Sequence, residues 1–431
     1  MKNKKRFLGL ITAALLATST WAQTMTFTYA DGVAATASEM ADGSWLMQLP
    51  AGTDLNAAIT GVSVNGTEVT ASAVTPDPTE TFITEGEIET FVYDGKAYSF
   101  RFLAGEYFTA VMFSDPHVGQ TDYDGLSVDD MKAFVNNIVN MGKDGGKVVT
   151  FDKATKGYVP TADIVFCLGD MDKDKGDGKD FKNTIAAFNT AGIPFITMAG
   201  NHDLSPDLWD DGSKGATAGY KDGGAYYDGV TLDVITVQNN TAATNGGFII
   251  KTFPQSGAEV QINPFTFTFK GVDFYCGQTY WFQKSYSGGY AELMGATISK
   301  ATYYAPDGVI DALNTYVSGR EGKAAVWMQH YPFNYGSDCD RWWLNQNASG
   351  NSLDSEVTSA YTTAAQKKDK LVEIINKTKN PVHFSGHVHS TATNTYSTLT
   401  DYTIDNAVSK AAYVVLCKEG VGVVEVKAVT F

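Results

Sequence analysis

The sequence predicts an α/β protein preceded by a small all-β domain, and three observations carry that expectation. Apolar and polar residues alternate with period two from Thr24 to about Ala104. From Tyr107 the rhythm changes to short, continuously apolar runs separated by helical stretches, as in a sheet buried on both faces. Histidines and acids stand where those runs end. With 431 residues, 43% apolar and 19% charged, the chain can bury one large core or two of unequal size.

In chain order, Met1–Arg6 is basic, Phe7–Ala17 is apolar, and Thr20-Trp21-Ala22 offers small residues where a signal peptidase cuts. Residues 1–22 therefore read as an export leader cleaved near Ala22, leaving a periplasmic or extracellular chain that begins at Gln23. The apolar run is too short to span a bilayer, and no later segment approaches the required length. No cysteine follows the cleavage site to carry a lipid anchor. The net charge of −16 becomes more negative without Lys2, Lys4, Lys5 and Arg6, which disfavours binding to nucleic acid or anionic membranes, so no nucleic-acid surface is expected.

Residues 23–104 read as an antiparallel β-sandwich of roughly immunoglobulin size. Met25, Phe27 and Tyr29 alternate with threonines, and Trp45, Met47 and Leu49 alternate again. Asn65-Gly66 and Asp94-Gly95 mark hairpin turns, the second flanked by Phe91, Tyr93, Tyr98, Phe100 and Phe102. The segment has neither histidine nor cysteine, so no metal chemistry is expected there.

Residues 105–431 start with the strand "YFTAVMFSD" and a helix in "LSVDDMKAFVNNIVNMG". Ser127 is its candidate N-cap, Met131, Phe134, Val135, Ile138 and Val139 share a face, and Gly142 stops it. The strand series continues with "ADIVFCLGD", "IPFITMAGNHD", "VDFYCGQTYW", "KAAVWMQH" and "PVHFSGHVH", with helices at 179–191 and 364–376 between. The insertion 204–269 carries strand patterns such as "LDVITV" and "FTFTF", and is long enough to shape a site. A hairpin around Glu419-Gly420 closes the chain.

Five of the six histidines stand at strand ends, where α/β folds place ligands. Two adjacent divalent cations would need imidazole nitrogens and carboxylate oxygens from several such ends, with one ligand shared. The chain supplies Asp115 and His117, Asp170, Asn201 and His202, His330, and His387 and His389. Gly169, Gly200 and Gly386 adjoin them, allowing sharp turns beside an ion.

The order Asp115-Pro116-His117, Gly169-Asp170, Gly200-Asn201-His202-Asp203, His330 and Gly386-His387-Val388-His389 resembles the calcineurin-like metallophosphoesterase superfamily over roughly residues 107–430. The resemblance implies a four-layer α/β/β/α domain with two divalent metal ions such as Mn, Fe or Zn. Asp115, His117, Asp170 and His389 would hold one ion and Asp170, Asn201, His330 and His387 the other, with Asp170 bridging. It further implies that His202 donates to the phosphate or leaving oxygen, oriented by Asp203, and that a hydroxide formed between the metals attacks a phosphate ester. The expected substrate is a phosphorylated small molecule or lipid, a monoester first and a nucleotide, lipid or glycan diester as the alternative. A metal-bearing interaction module is the rival of another class.

One departure stands out. Lys173 occupies a position where many relatives carry an acid and the purple acid phosphatases a tyrosine, which argues against that subgroup; Asp172 and Asp174 read as a solvated loop. His383 reads as a core or hydrogen-bonded supporting residue rather than a ligand. Arg341, in "DCDRWWLNQN", offers a guanidinium that would grip a phosphate bidentately or pack on the surface. Tyr280, Trp281, Tyr331, Trp342 and Trp343 are equally open between packing and a substrate wall. Cys167 and Cys417 read as core, and the sequence leaves a Cys276–Cys339 bridge undecided.

Overall fold

The computed structural model describes residues 24–30, 32–40, 43–119, 125–143, 145–153, 160–171, 179–200, 203, 235–253, 264–277, 279–286, 298–304, 307–334, 343 and 360–431. Residues 1–22, the Asp172–Asp174 loop, Cys339 and Trp342 lie outside them, as does most of the 204–269 insertion. No helix among the described residues is long and apolar enough to cross a membrane. The chain forms two compact units that meet in sequence between Glu106 and Tyr107.

The first unit contains β1 (Met25–Tyr29), β2 (Thr36–Glu39), β3 (Trp45–Leu49), a one-turn α1 (Leu55–Ala58), β4 (Ile59–Val64), β5 (Thr67–Val69), β6 (Ile88–Tyr93) and β7 (Lys96–Ala104). They make two small sheets, ordered β1-β4-β5 and β2-β3-β7-β6. Their inward residues form one core around Met47, Val62, Phe91, Phe100 and Phe102, with Phe27 edge-on to Phe100 at 4.8 Å. Asn65-Gly66 turns β4 into β5 and Asp94-Gly95 turns β6 into β7, all four residues at positive φ as such hairpins require. One pairing departs from the antiparallel expectation: β3 runs parallel to β7. Alternation fixes which face a strand buries, but it does not fix the direction of a partner some fifty residues away.

In the second unit the chain runs through β8 (Tyr107–Phe113), α2 (Val128–Val139), β9 (Ile164–Cys167), α3 (Lys179–Thr190), β10 (Phe195–Thr197) and α4 (Gln238–Gly246). There follow β11 (Lys251–Thr252), β12 (Phe265–Phe269), β13 (Val272–Cys276), β14 (Thr279–Tyr286), β15 (Ile298–Tyr304), α5 (Asp307–Ser318) and β16 (Ala324–Met328). The last elements are α6 (Ala364–Ile375), β17 (Lys379–Ser385), β18 (Ala392–Tyr396), β19 (Leu399–Thr403), β20 (Ala411–Lys418) and β21 (Gly422–Thr430). A five-stranded sheet has the order β10-β9-β8-β20-β21 and a seven-stranded one β11-β12-β13-β16-β17-β19-β18. Among the described residues β14 and β15 pair only with each other, so the run "VDFYCGQTYW" splits between two sheets at Gly277.

Alternation along the strands sends side chains into different cores. Val111, Phe113, Val165, Cys167 and Phe195 pack with Met131, Phe134 and Ile138 of α2 and Phe181, Ile185 and Phe188 of α3. Their neighbours Ala110, Met112, Ile164 and Phe166 pack instead with Phe267, Phe274, Val326 and Phe384 of the larger sheet. The other face of that sheet, with Tyr275 and Trp327 stacked at 4.0 Å, meets Ile310 and Leu313 of α5 and Leu371 and Ile375 of α6. Ser127 caps α2 by accepting from the Asp130 N–H at 3.1 Å, and Thr363 closes a capping box on α6.

Ile235–Val237, inside "LDVITV", is a single π-helical turn leading into α4 rather than a strand. The Asn239 amide explains this, accepting from the Thr197 N–H and donating to the Thr197 carbonyl, so that the helix caps the exposed edge of β10. Cys276 is a buried free thiol, and Cys339, its candidate partner in the sequence, lies outside the described residues.

Candidate metal centre

β8, β9 and β10 run parallel, as do β16 and β17, so each group delivers its carboxyl ends at one edge of its sheet. The ladder between β8 and β9 continues past the strands: Asp115 N–H donates to the Gly169 carbonyl and His117 N–H to that of Asp170. In the larger sheet Gly386 N–H donates to the His330 carbonyl at 2.9 Å. The segments that carry the candidate ligands are therefore tied pairwise by backbone before any side chain contributes.

Two triads result. Asp115, His117 and His389 form one, Asp170, His330 and His387 the other, and within each a ligand atom from every member lies within 4.8 Å of the others. The His117 and His389 rings are 5.5 Å apart, and those of His330 and His387 are 5.1 Å apart. Asp170 Oδ2 lies 3.1 Å from His330 Nε2 and 3.8 Å from His117 Nε2, so one carboxylate oxygen faces both groups. Asp115, His117, Asp170 and His330 are buried, whereas His387 and His389, one from each triad, are half-buried and form the more open side of the site.

The backbone at these positions is unusual. Asp115, His117, Asp170, His387 and His389 all have positive φ, between 39° and 71°. Each such residue costs about 1–2 kcal/mol relative to the ordinary right-handed conformation. Strain of this kind persists where surrounding contacts impose it, and it gathers at functional sites. The neighbouring glycines make the close approach possible. A Cβ on Gly169 would stand 2.7 Å from His330 Nδ1, one on Gly386 would run into Ser114 Oγ and stand 2.6 Å from Asp115 Oδ2, and one on Gly200 would meet the Asp170 carboxylate.

The donor set fits cations. Asp115 Oδ2 accepts from the His387 N–H, but its buried Oδ1 has no hydrogen-bond donor among the described residues and lies 3.4 Å from His389 Nε2. His330 Nδ1–H donates to the Leu168 carbonyl at 2.9 Å, which leaves Nε2 turned toward Asp170 as the nitrogen that takes up a proton or an ion. Electrostatics points the same way. Burial pulls the His330 pKa down, but Asp170 and Asp115 outweigh it and raise it to about 9. Asp115 is lowered despite its burial by His330 and His389, and His389 is raised by its contact with Asp115. These shifts belong to a cluster of buried acids that recruits positive charge, a proton in the absence of an ion.

Asp203 does more than the sequence suggested. Its Oδ2 accepts from the Asp170 and Gly200 N–H groups and its Oδ1 from that of Met171, all at 2.8 Å, so it pins the loop after β9 to the loop after β10. Burial, then repulsion from Asp170, raises its pKa to about 7. Asn201, His202 and Arg341 lie outside the described residues. Tyr331 is buried and packs on His387 at 4.7 Å, and Trp343 is fully buried beside Phe333, so both are core. Two neighbours that the sequence did not single out are Ser114, against Gly386, and Asn406, whose amide lies 3.3 Å from His389 Nδ1. A bridge between Ser114 and Asn406 brings them together, a long-range pairing with no local pattern to announce it.

No protein-family model and no curated protein matches the chain. Similar solved structures do exist. One is described as a 5'-nucleotidase from Staphylococcus aureus, at 10% identity and TM-score 0.36, covering 75% of this chain and 54% of that one. A second is the sulfate thiohydrolase SoxB from Thermus thermophilus, at 11% and 0.35, covering 74% and 55%. A third is the phosphopantetheinyl hydrolase of Mycobacterium tuberculosis, at 14% and 0.32, covering 70% and 91%. The chain thus spans about half the length of the first two. Likeness at this level does not extend to substrates or to the roles of individual residues.

Proposed function

We propose that the chain is an exported, metal-dependent phosphoric ester hydrolase of the calcineurin-like type. In this reading residues 1–22 are the leader, 23–104 an all-β domain, and 105–431 a four-layer α/β/β/α catalytic domain. The observation that carries it is the pair of Asp/His triads with Asp170 Oδ2 facing both. Asp115, His117 and His389 would hold one divalent ion and Asn201, His330 and His387 the other, with Asp170 shared. When bound, such ions neutralise charge on a phosphoryl group and lower the pKa of water.

The chain's own residues supply the rest. Leu168 and Asp115 orient His330 and the His387 backbone, and Asp203 holds Asp170 in place. His202 is assigned the donor to the leaving oxygen, and Arg341 a grip on the substrate. A monoester of a small molecule or lipid is the preferred substrate and a diester the alternative. An interaction module without turnover would have little use for six assembled ligand positions, five of them strained.

A hydrolysis screen of Mn2+-loaded protein on aryl phosphate monoesters and diesters tests the reading. Metal-dependent release from the monoester is expected. Metal binding without hydrolysis of either class would leave the interaction module standing.

A further inference from the structure

We infer that Asp401 is a positioning residue for the His330 and His387 half of the centre, an inference that rests on the metal reading above. Asp401 lies on β19 in "LTDYT", where alternation buries it with Leu399 and Thr403. It is fully buried. A carboxylate there is costly unless hydrogen bonds compensate, and an apolar residue would fill the same strand position without that penalty.

Its hydrogen bonds reach both ligand-bearing segments. Oδ1 accepts from His383 Nδ1–H at 2.8 Å and from the Ser385 hydroxyl at 3.0 Å, both on β17, with His383 directly opposite Asp401 in the parallel register. Oδ2 accepts from the Phe333 N–H at 3.1 Å, on the segment that leaves β16. Ser385 stands two residues before His387, and Phe333 three residues after His330. Between His330 and Phe333, Tyr331 packs edge-on against the His330 ring at 5.2 Å and the His387 ring at 4.7 Å. One carboxylate thus ties the His330 segment to the His387 strand, as Asp203 ties the Asp170 loop to the Gly200 loop. His383 finds its place here as a member of this network, apart from both triads. The Asp115, His117 and His389 triad receives no bond from Asp401 among those the structure shows, so the direct contacts of Asp401 favour the His330 and His387 half.

Calorimetric titration of the full chain with Mn2+ tests this. Wild type is expected to bind in two steps, with the His330→Ala variant identifying the step that belongs to that half. Asp401→Asn keeps the size of the side chain and loses one acceptor. It should weaken that step by about 10–100-fold, the range for outer-sphere partners of metal ligands, and leave the other unchanged. A purely structural role would lower the melting temperature of the metal-free protein and leave both steps intact, and that result overturns the inference. If Asp401→Asn fails to fold, Ser385→Ala decides: a selective weakening of the same step supports the role, and an unchanged isotherm removes it. A wild type that takes up no Mn2+ would overturn the metal reading and this inference with it, whereas two steps shared by wild type and variant overturn only the role of Asp401.

Discussion

The hairpin turns of the first unit and the strand ends of the second share a backbone conformation and differ in its cause. Asn65 and Asp94 have positive φ, each is followed by a glycine, and each sits in a tight hairpin whose geometry requires it. Asp115, His117, Asp170, His387 and His389 have the same sign of φ without a hairpin, and three of them are histidines. In the first unit local turn chemistry accounts for the conformation. In the second, contacts from four separate strand ends impose it, and they aim side chains at a shared point. Positive φ outside a hairpin, on residues able to ligate, is therefore a functional signal that the hairpins lack.

The change expected to break the contrast most severely is Asp170→Asn. It replaces the charged carboxylate that faces both triads with a neutral amide holding a single oxygen, so metal content and hydrolysis should fall together, with affinity lost beyond the ~10–100-fold typical of outer-sphere changes. Elemental analysis alongside turnover on an aryl phosphate checks this. His202→Gln should do the opposite to the metal. The ions should remain while the rate drops by about 10²–10⁴, the usual contribution of a proton donor. Loss of metal in that variant would move His202 into the coordination sphere.

Acidity gives a third, smaller handle. His330 has a folded pKa of about 9 in the metal-free protein, so below that pH a proton occupies the imidazole and must leave before Nε2 can ligate. Metal affinity should therefore rise with pH, roughly tenfold per unit for one displaced proton, and level off near pH 9. The sign for stability is opposite. The metal-free protein gains from the raised His330 pKa fully below the unfolded value of about 6.5 and loses that gain as pH rises through about 9. Titrations at several pH values and metal-free melts read the two slopes, and a flat affinity between pH 7 and 9 would contradict the assignment.

The smallest expected effects sharpen the comparison most. Gly95→Ala places a methyl group in open space at positive φ and should cost about 1 kcal/mol, from backbone strain alone, with metal binding untouched. Gly386→Ala has no such φ, yet its Cβ would run into Ser114 and crowd Asp115, so it should cost about 1–3 kcal/mol and weaken metal uptake as well. Thermal melts with and without Mn2+ separate the two.

Much of this was legible in the chain itself. The apolar runs ending in Asp115, Asp170, His330 and His387 announce strands with acids and imidazoles at their ends, and Ser127 and the two hairpins announce their local structure by residue type. What was hidden depends on distant partners. The run "QNNTAATNG" shows no apolar stripe, and it is helical beside β10 because the Asn239 side chain bonds the backbone of Thr197. Asp401 sits in an alternating strand where an acid reads as the solvent face, and only the pairing of β19 with β17 shows it buried among donors to both segments. Asp203 belonged to a motif, but its bonds to three backbone N–H groups follow from two loops meeting, which no spacing encodes.

In the proposed centre one shared carboxylate and two triads would hold a pair of adjacent divalent ions. Anomalous scattering from crystals of the protein loaded with Mn2+ tests it most directly. Two peaks about 3.5–4 Å apart are expected, the usual spacing of a dinuclear site, one beside Asp115 Oδ1 and His389 Nε2, the other beside His330 Nε2, both within reach of Asp170 Oδ2. Mn2+ peaks absent from these residues in fully loaded crystals would contradict it.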